Sequence, residues 1–182
     1  MVSTRKISMS IILVALGVVL SPVNIPMGPT KAFPIQHMIN AVAGILLGPW
    51  YAMLIATAIG AIRISLGTGT IFAFPGGMPG ALMVGFFCWY VRKTDYSAFT
   101  EPIGTSIGAV ISALFIVQFF PRAMPPIFGV TSQAALFVIY WLFSCVPGST
   151  LGFFVVKALR RTGFADRILI PTTVRKEGSN RR

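Results

Sequence analysis

The residues of this chain that could do chemistry are few. His37 and Asn40 stand three apart, hence on one face of a helix, with Gln36 beside that face. Arg63, Gln133, Tyr140 and Trp141 are further polar or amphipathic groups near the ends of apolar segments, and Lys31, Phe33, Phe72, Phe74 and Phe128 fall in or beside connections. The chemistry open to this set is recognition. Aromatic walls and a few directional hydrogen bonders are what a small heterocyclic ligand needs. Catalysis has no such support. The four acids, Asp95, Glu101, Asp166 and Glu177, all fall in stretches that read as hydrophilic, so no paired carboxylates are expected inside the apolar segments. A single histidine cannot build a multi-histidine metal site. Cys88 and Cys145 lie in apolar runs with no metal or redox spacing. The glycines between 67 and 77 lack the Lys-Ser/Thr that follows a phosphate-cradling loop. No enzyme, metal or cofactor is expected. Without a buried acid, a proton- or sodium-driven carrier is also disfavoured, so uphill transport would draw its energy from a partner.

The elements that position these residues follow from solvent. The chain has 182 residues, 55% hydrophobic and only 10% charged, against about 25% charged in soluble domains. So little polar surface cannot solvate a globule, whereas in lipid a helix satisfies its own backbone. At roughly 20 residues per span, six spans fill the hydrophobic length: about Ile7 to Leu20, Pro34 to Leu47, Trp50 to Leu66, Gly76 to Val91, Ile103 to Phe120 and Gln133 to Leu159. The first is read as a span and not a cleaved signal, since no small-x-small site follows it. Pro147 should kink the sixth by removing a helix donor. Arg92 to Pro102 reads as the one hydrophilic internal loop. The expected fold is an all-α membrane protein, with residues 1–162 forming one six-helix transmembrane substrate-binding domain and 163–182 a basic tail.

Orientation follows from the basic residues. The net charge is +11, and twelve of the fifteen basic residues occupy three places: Arg5 and Lys6, Arg92 and Lys93, and the eight from Lys157 to Arg182. These are the edges of apolar segments, so they read as positive-inside flanks and not as a nucleic-acid patch. Both termini are thereby assigned to the cytoplasm, in a multi-pass protein of the cell membrane. Lys31, Arg63 and Arg122 remain on the opposite, outer side with the 24–33, 67–75 and 121–132 connections.

Each candidate has a second reading. His37 and Asn40 either line a pocket or bond neighbouring helices. Arg63 either meets a ligand or snorkels to headgroups. Phe72 and Phe128 are better read as an interfacial aromatic belt. Ala52, Ala56 and Gly60, four apart, make a small-residue ridge that either packs within the bundle or docks another membrane protein.

Two stretches carry a resemblance. Asn24-Ile25-Pro26-Met27-Gly28-Pro29-Thr30-Lys31-Ala32-Phe33-Pro34-Ile35-Gln36-His37-Met38-Ile39-Asn40, followed by Gly44 to Ala52, resembles the ThiW family, and so does Gly67-Thr68-Gly69-Thr70 with Ala73-Phe74-Pro75-Gly76. The resemblance covers about residues 5 to 162. It implies the substrate-binding S component of an energy-coupling factor (ECF) transporter, with a six-helix fold. The implied substrate is hydroxyethylthiazole, the thiazole half of thiamine, and the implied partners are a coupling membrane protein and two ATPase subunits. Carried over residue by residue, it favours Lys31, Phe33, His37, Asn40, Phe74, Gln133, Tyr140 and Trp141 for the substrate, beside Arg63 from the reading above. For the coupling protein it directs attention to small residues on the first span, where Ser8, Ala15 and Gly17 form no clean alanine ladder. An S component for thiazole phosphate, a pyrimidine precursor or thiamine, and a non-transport membrane scaffold, are the alternatives.

Overall fold

A computed structural model describes residues 4–27, 30–116, 119 and 132–165. Among the described residues there are six α-helices: α1 Thr4–Val19, α2 Pro34–Leu47, α3 Pro49–Ser65, α4 Ala73–Phe86, α5 Glu101–Ile111 and α6 Gln133–Arg161. α4 runs on into a π-helical turn at Phe87–Val91, and α5 is flanked by a 3-10 segment at Asp95–Thr100 and a π-helical turn at Ser112–Ile116. Between α1 and α2, β1 (Ile25–Met27) pairs antiparallel with β2 (Thr30–Ala32), Pro26 opposite Lys31. This small hairpin inside the first connection was not foreseen.

Among the described residues, three helical stretches are long and apolar enough to cross a bilayer: Ala73–Val91, Asp95–Ile116 and Gln133–Arg161. α2 and α3 are apolar but shorter. At 1.5 Å per residue, the 14 residues of α2 span about 21 Å, less than a hydrocarbon core of about 30 Å. α2 instead forms the axis of the bundle, and Ile39, Ala41, Ala43, Ile45 and Leu46 on it are shut off from solvent on every side. Around it the outer faces stay apolar: Ile11, Ile12, Leu54, Ile103, Phe115, Phe143 and Phe154 are all exposed. That inversion suits lipid as the solvent.

Small residues set the helix spacing. Gly17 of α1 lies against Ile59 of α3, where a Cβ would come within 2.5 Å of its side chain. Gly104 and Gly108 of α5 rest directly on the backbone carbonyls of Pro79 and Pro75 of α4. Since Pro79 has no N–H to give the carbonyl four residues before it, α4 offers a bare carbonyl there, and only glycine lets α5 come so close. Gly148 and Gly152 of α6 likewise sit on the Pro34–Ala41 stretch of α2. Gly48, at φ 98°, makes the left-handed turn between α2 and α3.

Two expectations need correction. Residues 92–102 are not a plain loop, because Asp95–Thr100 coils straight into α5, with Thr94 accepting a hydrogen bond from the Tyr96 N–H at its start. The ridge Ala52, Ala56 and Gly60 is no free docking surface. All three are buried, with Ala56 against Gly77 and Gly60 against Ala73 and Phe74 of α4. Gly and Ala at four-residue spacing here let α3 lie close against α4. Pro147 lies within a continuous α6.

Candidate functional site

The two ends of the bundle differ in chemistry. At one end Lys6 lies over the rings of Trp89 and Tyr51, and Arg160 pairs with Asp95 at 2.7 Å. The hairpin and the 67–72 turn mark the other end, and there a cleft opens into the bundle. Its free interior volume is about 60 Å³, a narrow cleft beside the few hundred Å³ of a typical ligand pocket.

Five segments build the cleft. β2 and the start of α2 bring Lys31, Phe33, Gln36 and His37; α3 brings Arg63; the 68–77 stretch brings Thr68, Thr70, Phe72 and backbone at Gly76 and Gly77; and α6 brings Trp141 and Ser144. Local bonding fixes each part. The Phe33 N–H donates to Ser144 Oγ at 2.7 Å, tying the hairpin to α6. The Arg63 carbonyl accepts from the Thr68 and Gly69 N–H groups, both at 2.9 Å, so the 67–70 turn folds back over the end of α3. Gly67, at φ 71°, permits that reversal. The Arg63 guanidinium is laid on the Phe33 ring, 4.0 Å from its centroid. Phe72 packs on Phe137, which in turn meets Trp141 edge-on.

Two polar atoms in this wall are buried without a hydrogen-bond partner: Gln36 Oε1 and Arg63 Nε. Native interiors leave few such atoms. Both belong to residues that line the cleft, which is where a ligand would supply the missing partner.

Beneath the cleft lies a second polar layer. Glu101 is wholly buried. Its Oε1 is 2.7 Å from His37 Nδ1 and accepts from Asn40 Nδ2 at 3.1 Å and from Thr105 Oγ1 at 2.9 Å, while Oε2 accepts from Ser149 Oγ at 3.3 Å. Asn40 also donates to the Gly77 carbonyl, and Thr105 Oγ1 reaches the Gly76 carbonyl. Gly80 leaves room for the carboxylate, since a Cβ there would meet Glu101 and Thr105. This overturns the expectation that no acid enters the apolar bundle. From Asp95 at the basic end, six residues of 3-10 geometry climb roughly 12 Å, which carries Glu101 into the interior.

A family comparison now bears on this arrangement. The family model described as "Thiamine-precursor transporter protein (ThiW)" matches residues 7–162. The chain belongs to the ThiW family. Comparison with curated proteins gives no match. ThiW proteins are transporters of thiamine precursors, and a helical bundle with three described stretches able to cross a bilayer is a membrane protein's build.

In this ThiW chain the cleft gathers five of the nine residues expected to contact substrate: Lys31, Phe33, His37, Arg63 and Trp141. The other four stand outside its lining. Asn40 lies one layer deeper in the Glu101 cluster, Phe74 faces Gly60, Tyr140 packs in the Phe72–Phe137 aromatic cluster, and Gln133 sits half-buried at the start of α6. Phe72 is not an interfacial ring. It is 3% exposed, its ring tilted against Phe137. Phe128 and Arg122 lie outside the described residues. Sequence reasoning missed Ser144, Thr68 and Glu101. For Glu101 a signal existed: Thr100-Glu101-Pro102 has an acid and a proline in a first helical turn, the usual start of a helix.

Proposed function

We propose that this chain is the substrate-binding S component of an ECF-type importer, capturing hydroxyethylthiazole from the outer side for ATP-driven uptake by partner subunits. The observation that carries this is the cleft itself: aromatic rings from Phe33, Phe72 and Trp141 converge with Gln36, His37 and Ser144 at the hairpin end. A flat thiazole ring stacks on such walls, and its nitrogen and hydroxyl take up the polar groups. The hairpin end faces outward and the basic end faces the cytoplasm, in keeping with the positive-inside rule. Residues 1–162 form the transmembrane substrate-binding domain and 163–182 a cytoplasmic tail, within the cell membrane.

A coupling membrane protein and two ATPases supply the energy, since ATP-binding loops are absent from this sequence. With Ala52, Ala56 and Gly60 buried, docking falls to the outer face of α1, where Ser8 and Ala15 are exposed beside Ile12. A second reading, the phosphate ester of the same thiazole, is favoured by Arg63 and Lys31. Both line the cleft, and among the described residues no acid does.

The test is a titration of purified protein in detergent, read by intrinsic tryptophan fluorescence, with hydroxyethylthiazole, its phosphate, the pyrimidine precursor and thiamine. Sub-micromolar binding of the thiazole alcohol, with the signal lost in Trp141→Phe, is expected. Tighter binding of the phosphate selects the second reading. Failure of all four ligands to bind sinks the assignment.

A further inference from the structure

Glu101 and His37 meet where the cleft ends and the buried layer begins. His37 lines the cleft with its side chain 9% exposed, while its Nδ1 is held 2.7 Å from the fully buried Glu101 Oε1. The two ring nitrogens point to opposite sides of an imidazole, so Nε2 is the one left for whatever enters the cleft. We propose that Glu101 acts through His37 as a positioning residue, keeping Nε2 hydrogen-bearing and turned to the cleft, so that the site selects a heteroaromatic ring with a bare nitrogen over one whose nitrogen is alkylated. The proposal rests on the reading of the cleft as the precursor site and names the recognition chemistry of that site.

The hydrogen count follows from charge. Among the described residues His37 is the only ionisable group in salt-bridge reach of Glu101, the other pair being Arg160 with Asp95. Asn40, Thr105 and Ser149 supply hydrogen bonds but no charge. An uncompensated charge in an apolar interior is costly, and the proposal is that the pair shares one proton and is neutral as a whole. Neutrality allows two placements of the shared proton. If it sits on the ring, both imidazole nitrogens bear hydrogen. If it sits on the carboxyl, the acid O–H donates to Nδ1, and the neutral ring must carry its hydrogen on Nε2. In both, Nε2 is a donor facing the cleft.

A donor there fits the lone pair of a free-base thiazole nitrogen. It does not fit a thiazolium, which has no lone pair and brings a positive charge beside Arg63 and Lys31. The site therefore separates a precursor ring from the same ring once its nitrogen has been alkylated.

His37 is the only histidine in the chain, so 15N-histidine NMR of the detergent-solubilised protein reads this nitrogen without ambiguity. In the wild type at neutral pH, Nε2 should show a directly bonded hydrogen. In Glu101→Gln the three donors around Oε1 should seat the amide oxygen there; it accepts from Nδ1–H and leaves Nε2 bare. Binding should follow the same switch. The wild type is expected to hold hydroxyethylthiazole about tenfold or more tighter than the thiophene in which C–H replaces the ring nitrogen, and Glu101→Gln should lose that preference. A bare Nε2 in the wild type, or equal affinity for thiazole and thiophene, overturns the proposal. If neither ring binds yet Nε2 bears hydrogen, the donor assignment stands and the precursor reading is what falls. Should Glu101→Gln fail to fold, the wild-type spectrum and the thiazole–thiophene pair still decide.

Discussion

The cleft and the Glu101 layer are neighbours with opposite states of satisfaction. In the cleft wall Gln36 Oε1 and Arg63 Nε are buried and unpartnered, and Arg63's bond to the Thr68 carbonyl is long, at 3.5 Å. One residue layer deeper, both oxygens of Glu101 are engaged by donors from α2, α5 and α6. Buried polar networks rigidify a bundle only when they are complete. The inner layer thus holds three helices in register, whereas the outer one is left incomplete where a ligand can finish it. His37 belongs to both, which is how the fixed layer can set the polarity of the open one.

That contrast can be broken most sharply at Glu101. Glu101→Ala removes the acid that His37, Asn40, Thr105 and Ser149 share, leaving Asn40 and Thr105 only their bonds to the Gly77 and Gly76 carbonyls. A loss of about 3–5 kcal/mol is expected, read as a large drop in the thermal unfolding temperature in detergent. A small drop would mean that the inner layer does not hold the bundle. Arg63→Met should behave in the opposite manner. Stability should move by no more than about 1 kcal/mol, because removing the orphaned Nε offsets the lost contact with Phe33. Binding of the thiazole phosphate should weaken markedly in the same fluorescence titration. Loss of fold in this variant would return Arg63 to a structural role. The smallest effect belongs to the basic end. Arg160 and Asp95 pair where the arginine side chain is 34% exposed, so Asp95→Asn should cost within about 1 kcal/mol and leave ligand affinity unchanged.

Legibility differed between these layers for a physical reason. The helices were readable because apolar length and Pro/Gly punctuation are local properties: α2 from Pro34 to Leu47 begins and ends where the sequence says. Lys31, Phe33, His37, Arg63 and Trp141, which line the cleft, were readable as candidates, because polar and aromatic groups near the ends of apolar segments need a reason to be there. Glu101 was hidden by its company. Lys93, Thr94, Asp95, Ser97 and Thr100 precede it, and their polarity masks the start of a helix that carries the acid inward. Asn40 and Phe74 point to the other kind of error. Side-chain direction around a helix puts them on faces that pack, against Glu101 and Gly60, and no spacing rule distinguishes a face that packs from one that lines a cavity.

The sequence by itself determined that this protein is a helical membrane bundle of the ThiW family, because scarcity of charge over about 150 residues leaves lipid as the solvent and the 24–52 motif is written in the chain. Only the tertiary structure decided which polar residues meet. Glu101 lies 64 residues from His37, and their contact depends on glycines at 80, 104 and 148 that let α4, α5 and α6 close around α2. Helix periodicity acts within a segment, whereas this pairing is set by how near two helix backbones can come.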